Sequence, residues 1–109
     1  MSITRIVTDS TAELAPEVVE ELGITVVPMR IRLGSEVMLD GPKLRTPEFY
    51  RAMVQDRQTP VVLVPTANEF AQVYQRLSRE TAEIVSILVS SSFNGTVQAA
   101  MQARTGLLG

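Results

Sequence analysis

The sequence predicts an α/β fold, a largely parallel open sheet with helices on both faces. Short runs rich in β-branched and apolar residues, Ile3–Thr8, Ile24–Val27, Val61–Val64 and Ile84–Val89, are separated by longer segments with helical apolar spacing. Several of those longer segments open on helix-start chemistry, and glycine closes some of them. Strands that alternate with helices in this way pair in parallel through right-handed crossovers. No internal repeat, low-complexity tract or linker interrupts the 109 residues, so a single domain over 1–109 is expected.

Taken in order, Ile3–Thr8 is a buried strand that runs into the polar Asp9-Ser10-Thr11. Ser10 and Glu13 have capping-box spacing, and Leu14, Val18 and Leu22 mark one face of a helix that Gly23 ends. Ile24–Val27 and Met29–Leu33 are extended segments split by Pro28, which cannot donate to a ladder and so belongs at an edge or bulge. Gly34-Ser35-Glu36 turns the chain into Val37–Leu39, a hairpin closed by the break at Asp40-Gly41-Pro42. Thr46-Pro47-Glu48 starts a helix with the apolar residues Phe49, Tyr50 and Met53 and an end near Asp56. Val61–Val64 is a buried-strand candidate. Thr66 and Glu69 form a second capping box ahead of Phe70, Val73, Tyr74 and Leu77 at helical spacing. Ile84–Val89 is the clearest strand, and the chain from Thr96 to Gly106 reads as a helix.

Composition narrows the chemistry. Ten basic and twelve acidic residues give a net charge of −2, which provides no electrostatic footprint for nucleic acid or an anionic membrane. With no cysteine and no histidine there is no thiol nucleophile, no Ser-His-Asp triad and no Cys or His metal ligand. The carboxylates lack metal-ligand spacing, so no metal site and no cofactor are expected. The opening "MSITRIV" has no apolar h-region, and no run approaches the roughly 18 apolar residues of a spanning helix, so neither export nor membrane insertion is expected and the reading is cytoplasmic.

Ligands of open α/β sheets gather outside the carboxyl ends of the strands. That places Asp9–Thr11, the segment around Pro65-Thr66, and Ser90–Gly95 on one rim. The stretch "VSSSFNGTVQAA" sets hydroxyls and free backbone N–H groups where a strand gives way to a helix, an arrangement suited to a phosphate or carboxylate. The same residues can equally serve only to turn and cap the chain, and Asn94-Gly95 also fits a hairpin turn. Asp9 at a strand end resembles the nucleophile of aspartyl-phosphate enzymes, but Thr11 occupies the place of their second acid, so a bracing role is the better reading. Neither a Walker loop nor a Rossmann glycine fingerprint occurs.

The segments "IVTDSTAELAPEVVEELGITVVPMRIRLG", "TPEFYRAM", "EFAQVYQRL" and "SSSFNGTVQAA" resemble, in that order and spacing, the opening portion of the DegV family. The resemblance implies a two-lobed α/β protein that holds a long-chain fatty acid and presents its carboxylate to a fatty acid kinase, a carrier rather than an enzyme. The family's Ser-Ser-x-Leu-Ser-Gly-Thr signature falls on Ser90 to Thr96, with Asn94 in place of a serine. It implies carboxylate contacts from Ser91, Ser90 and the N–H groups near Asn94 and Gly95, with Asp9, Ser10, Thr11 and Thr66 on the adjacent rim.

Two departures accompany it. The family's Pro-Thr-Thr-Ser-Gln-Pro-Ser falls on Pro60 to Thr66, so Val61 and Val62 stand where threonine hydroxyls are expected. One lost hydrogen bond to a buried carboxylate costs roughly 1.5–3 kcal/mol. The family also continues into a second lobe with a basic or histidine side chain for the carboxylate. This chain is therefore expected to be a lone first lobe that forms a homodimer or pairs with a separate second-lobe chain. The competing reading is a structural or interaction module that kept the fold and lost the ligand.

Overall fold

The computed structural model describes residues 3–41, 43–56 and 59–105. Pro42 of the expected break, and Gly106 with Gly109 beyond the last helix, lie outside the described residues. Among the described residues six strands and four α-helices follow one another as β1 (Arg5–Asp9), α1 (Pro16–Leu22), β2 (Thr25–Val27), β3 (Arg30–Leu33), β4 (Glu36–Leu39), α2 (Pro47–Asp56), β5 (Val61–Leu63), α3 (Ala67–Ser78), β6 (Ile84–Ile87) and α4 (Thr96–Thr105).

A parallel sheet in the order β2-β1-β6 carries the core, with Val7 opposite Thr25 on one side and Ser86 on the other. Strand alternation sends Val7 and Val27 to the same face, where Phe70, Tyr74 and Leu77 of α3 and Ala100 and Ala103 of α4 bury them. Phe70 and Val7 are fully buried, and the small alanines allow α4 to approach α3 closely. Val26 points the other way, and with Leu14, Pro16 and Val19 it lines a cleft of about 250 Å³ between the sheet and α1. Helices thus flank both faces of the parallel sheet.

The sheet is not continuous. Past Pro28 and Met29 the chain enters a second, antiparallel sheet in the order β4-β3-β5. The β3–β4 hairpin forms as its sequence predicts, with Gly34 at φ 63°, a left-handed conformation that glycine adopts freely. Val61–Leu63 does not join the parallel sheet as a buried strand. It pairs antiparallel with β3 at the edge of the second sheet, with Val61 40% and Val62 55% exposed. An apolar run of three residues has no periodicity with which to distinguish a core strand from an edge strand.

The start of α1 also departs from expectation. Ser10–Ala12 form a single 3₁₀ turn, Glu13 takes a left-handed conformation (φ 50°), and the helix begins only at Pro16. The ring of Pro16 forces Ala15 into an extended conformation, which prevents an earlier start. The Ser10 hydroxyl is meanwhile committed elsewhere, since it accepts the Met29 N–H at 3.0 Å. Val18 and Leu22, which mark one apolar face of the helix, are solvent-exposed. The helix starts at Thr46 and Thr66 match the sequence. Thr46 Oγ1 accepts from Phe49 N–H, and Thr66 and Glu69 form a complete capping box.

Glu69 does more than cap, because its carboxylate also receives Arg30 of β3 in an ion pair. Burial on its own would raise the Glu69 carboxyl. The hydrogen bonds from Arg30 and Thr66 and the Arg30 charge outweigh it and hold the group below the ordinary carboxylate value.

Two stability outcomes follow. Phe70→Ala empties the best-buried site between α3 and the parallel sheet and is expected to cost about 3–5 kcal/mol in urea denaturation. The lowered folded value of Glu69 gives stability that is fully present above the unfolded value of about 4.3 and is lost as pH falls through the folded value. Urea titrations between neutral and acid pH should show that Glu69→Gln costs about 1 kcal/mol at neutral pH and that the cost shrinks in acid.

Candidate functional site

The carboxyl ends of β1 and β6 meet at one rim because the two strands are parallel and in register from Arg5–Ile84 to Thr8–Ile87. Asp9 closes β1 and is buried, 1% exposed. One carboxylate oxygen accepts from the N–H of Thr11 at 2.8 Å and from its hydroxyl, and the other accepts from the N–H of Val89 at 2.7 Å. Asp9 therefore braces two loops at once and has no free oxygen directed at solvent for nucleophilic attack.

Ser10 is buried beside it and Thr11 is exposed. The Ser10 hydroxyl takes the Met29 N–H, while its carbonyl takes Nη2 of Arg45 at 2.9 Å. Arg45 also grips both oxygens of Asp40, at 3.1 and 2.7 Å, and pairs with Glu13 at 2.8 Å. The hydrogen bond to Asp40, reinforced by the charges of Asp40 and Glu13 against the cost of burial, holds the Arg45 guanidinium above its ordinary value. The Asp40 N–H donates to the Met29 carbonyl at 2.8 Å, which closes a ring through Ser10, Met29, Asp40 and Arg45. Sequence reasoning missed this cluster. Asp40 sat within a turn signal and Arg45 one residue before a helix cap, so no local pattern linked either of them to Ser10.

Past Val89 the serine loop rises from the same rim. Ser90 Oγ accepts the N–H of Ser92, and the Ser90 carbonyl accepts that of Phe93, so the loop makes a tight turn. Ser90, Ser91 and Ser92 are all exposed, and no hydrogen bond among the described residues engages the Ser91 hydroxyl. Asn94 Oδ1 accepts both the N–H and the hydroxyl of the fully buried Thr96. The Gly95 carbonyl accepts the first helical N–H, from Ala99, so Gly95 caps α4. A side chain at Gly95 would meet nothing within 4 Å, which leaves open space in front of the helix start. The N–H groups of the first turn of a helix have no intrahelical partner. Here Asn94 takes the Thr96 N–H, and those of Val97 and Gln98 remain at the positive end of a ten-residue helix.

Thr66 belongs to the same end of the molecule. Arg76 near the far end of α3 reaches Thr25, at the start of β2, so the N-terminus of α3 lies toward the strands' carboxyl ends. Glu69, in the capping box with Thr66, binds Arg30 next to Met29. The Thr66 hydroxyl is committed to that capping box. Val61 and Val62 lie on the outer strand of the second sheet, opposite Arg32 and Ile31, and bring methyl groups rather than donors. Chemically the rim presents neutral donors, a serine hydroxyl and helix N–H groups. Among the described residues no group of histidine, cysteine, aspartate and glutamate is arranged to hold a metal ion.

Asp9→Ala would leave the partly buried N–H of Val89 and the Thr11 donors without an acceptor. It is expected to cost about 2–4 kcal/mol, read from urea denaturation, with increased amide exchange in both loops.

Residues 4–108 match the sequence model of a family described as an uncharacterised protein, DegV family. A DegV domain-containing protein of Halalkalibacterium halodurans is 36% identical over 104 residues, 94% of this chain and 37% of the relative. The fold superimposes on the solved structure of a fatty-acid-binding DegV family protein from Thermus thermophilus, with a TM-score of 0.89 and 30% identity over 100% of this chain and 39% of that one. It likewise matches DegV, a fatty acid binding protein from Bacillus subtilis, with a TM-score of 0.90 and 25% identity over 97% of this chain and 38% of that one. The chain thus spans well under half the length of the proteins it matches. No described helix is long and apolar enough to cross a membrane. On the match over residues 4–108 and these likenesses, the chain belongs to the DegV family.

Proposed function

We propose that this chain is the first lobe of a fatty-acid carrier and holds the carboxylate of a long-chain fatty acid at the rim of its parallel sheet. The supporting observation is the unengaged Ser91 hydroxyl beside the open N-terminus of α4, in a chain whose solved neighbours bind fatty acids. In this reading Ser91 donates to one carboxylate oxygen. The N–H groups near Asn94 and Gly95, with Ser90, serve the other. Asp9, Ser10, Thr11 and Thr66 act through the loops they fix. The chain carries rather than converts its ligand. Presentation to a fatty acid kinase belongs to the assembled two-lobed protein, in which this lobe pairs with a second one.

A second reading has its own support. Val61 and Val62 expose apolar surface where a hydroxyl would serve the ligand, as in a module that kept the fold for interaction alone. Mass spectrometry of lipid released by denaturing the purified protein separates the two, because only a carrier retains an acyl chain.

Affinity is expected to be modest. Acyl burial contributes about 0.8 kcal/mol per CH₂ only where a wall exists, and one lobe forms part of a wall. Titration calorimetry with a long-chain fatty acid below its micelle concentration should give a Kd of about micromolar or weaker. Ser91→Ala should weaken it by about 1 kcal/mol, and Val62→Thr or Val61→Thr should strengthen it. Nanomolar binding, or indifference to Ser91→Ala in a chain that binds, would place the carboxylate elsewhere.

A further inference from the structure

The two faces of the parallel sheet are covered unequally. On one face α3 and α4 bury Val7 and Val27. On the other lies α1, a helix of seven residues of which none is buried. The cleft of about 250 Å³ beneath it is bounded by Leu14 and Val19 on the α1 side and by Val26 on the sheet. Protein interiors hold few voids larger than a water molecule, so a space of this size is open to an occupant. In the loop that leads to α1, Glu13 is held at φ 50°, the one left-handed non-glycine conformation among the described residues. An ion pair to Arg45 at 2.8 Å ties it down. Residues held in this region cluster at ligand clamps and switch segments.

The polar groups of the cleft narrow the chemistry of that occupant. Three carboxylates, those of Asp9, Glu13 and Asp40, line it together with one guanidinium, that of Arg45. The negative excess opposes an anion. A cation finds these acceptors already engaged: the Asp9 oxygens take Thr11 and Val89, both Asp40 oxygens take Arg45, and Glu13 pairs with Arg45 while turned mostly to solvent. One polar group is left over. Ser10 lines the cleft and is 6% exposed. Its Oγ accepts the Met29 N–H, and no acceptor among the described residues takes the hydroxyl hydrogen. A hydroxyl donates once as well as accepting, so this buried donor suits a neutral acceptor.

We infer that the cleft under α1 is a second binding site, for an uncharged aliphatic molecule of about six carbons that carries one hydrogen-bond acceptor, such as a primary alcohol. The size follows from the volume: an apolar cavity of about 150 Å³ holds benzene, and this cleft is larger. The character follows from the lining, which is aliphatic apart from engaged charges and one spare hydroxyl donor. Water in such a space has few partners and is displaced favourably by an apolar group. The ligand lies against Asp9 and Ser10, which anchor the Val89 and Met29 amides, but none of Ser90–Gly95 lines the cleft. The site is therefore independent of fatty-acid binding at the serine loop.

NMR of this chain with hexanol as the probe tests the inference without any fatty acid. Hexanol should give saturable shifts at the methyl groups of Leu14, Val19 and Val26 and at the Ser10 amide, with a Kd of about a millimolar or tighter. Hexanoate at the same concentration should not. Val19→Phe, which fills the space from the helix, should abolish the hexanol shifts and leave the urea midpoint unchanged or raised. Val26→Phe fills it from the sheet and replaces that variant if it fails to fold. Val54→Phe, on exposed α2 outside the cleft, should bind hexanol as the unaltered chain does. Several results would overturn the inference: no shift at all, shifts that rise without saturating, saturation confined to residues elsewhere, equal binding of hexanoate, or hexanol binding that survives in a folded variant whose cleft is filled.

Discussion

The ring of hydrogen bonds through Ser10, Met29, Asp40 and Arg45 is the constraint on which the rest of the rim depends. Two small sheets meet at Pro28 and Met29, which join β2 of one to β3 of the other. The N–H and carbonyl of Met29 fall outside both ladders and it is 2% exposed, so each group needs a specific partner. Ser10 supplies the acceptor and Asp40 the donor, and Arg45 ties those two partners to each other. Removing Arg45 would leave the Asp40 carboxylate without its bidentate partner and the Ser10 carbonyl without a charged donor. The two sheets would then be joined there only through the backbone hydrogen bonds of Met29 and, further on, the Arg30–Glu69 pair.

From that ring the geometry extends in both directions. On one side it fixes Ser10 and with it Asp9, whose second oxygen holds Val89 and therefore the base of the serine loop. On the other it fixes the start of β3, where Arg30 engages Glu69 and sets the N-terminus of α3. Asn94 closes the circuit with a weak contact from Nδ2 to the Met29 sulfur at 3.9 Å, while its oxygen caps Thr96. The open space before α4 is thus held by partners drawn from three separate stretches of sequence. A ligand loop of this kind can be exposed and yet ordered, because its flanking residues are fixed even where its tip is free.

What was legible from the sequence was whatever depends on near neighbours. The capping box at Thr66 and Glu69, the threonine cap at Thr46, the turn at Gly34 and the strand-to-helix passage at Ser90–Gly95 all involve residues within a few positions of one another. The failures share the opposite character. Ser10 looked like a helix cap because Glu13 stood three residues on, but a distant amide at Met29 claimed its hydroxyl and Pro16 fixed a later start. Val61–Leu63 looked like core because apolar runs usually are, yet its place was set by pairing with Arg30–Arg32 across more than twenty-five residues. Arg45 gave no local signal at all, since its partners come from Ser10, Glu13 and Asp40. The family resemblance pointed to the serine loop but could not reveal which residues hold it in position.

Electrostatics sets the remaining limit on what this rim can do. A carboxylate brought to this rim carries a full negative charge close to the buried Asp9, whose own oxygens are engaged by Thr11 and Val89. Two nearby arginines are already committed, Arg45 to Asp40 and Glu13, and Arg30 of β3 to Glu69. What remains for an incoming anion is the Ser91 hydroxyl and the first-turn N–H groups of α4, with a helix end worth about 0.3–1 kcal/mol at an exposed site. Neutral donors orient a carboxylate well, but they offset its desolvation poorly. Under the proposed function, donors of this composition would orient the head group and leave most of the affinity to acyl burial and to charge supplied from outside this chain. That division of labour would allow a carrier to hold a carboxylate in a defined orientation and still release it.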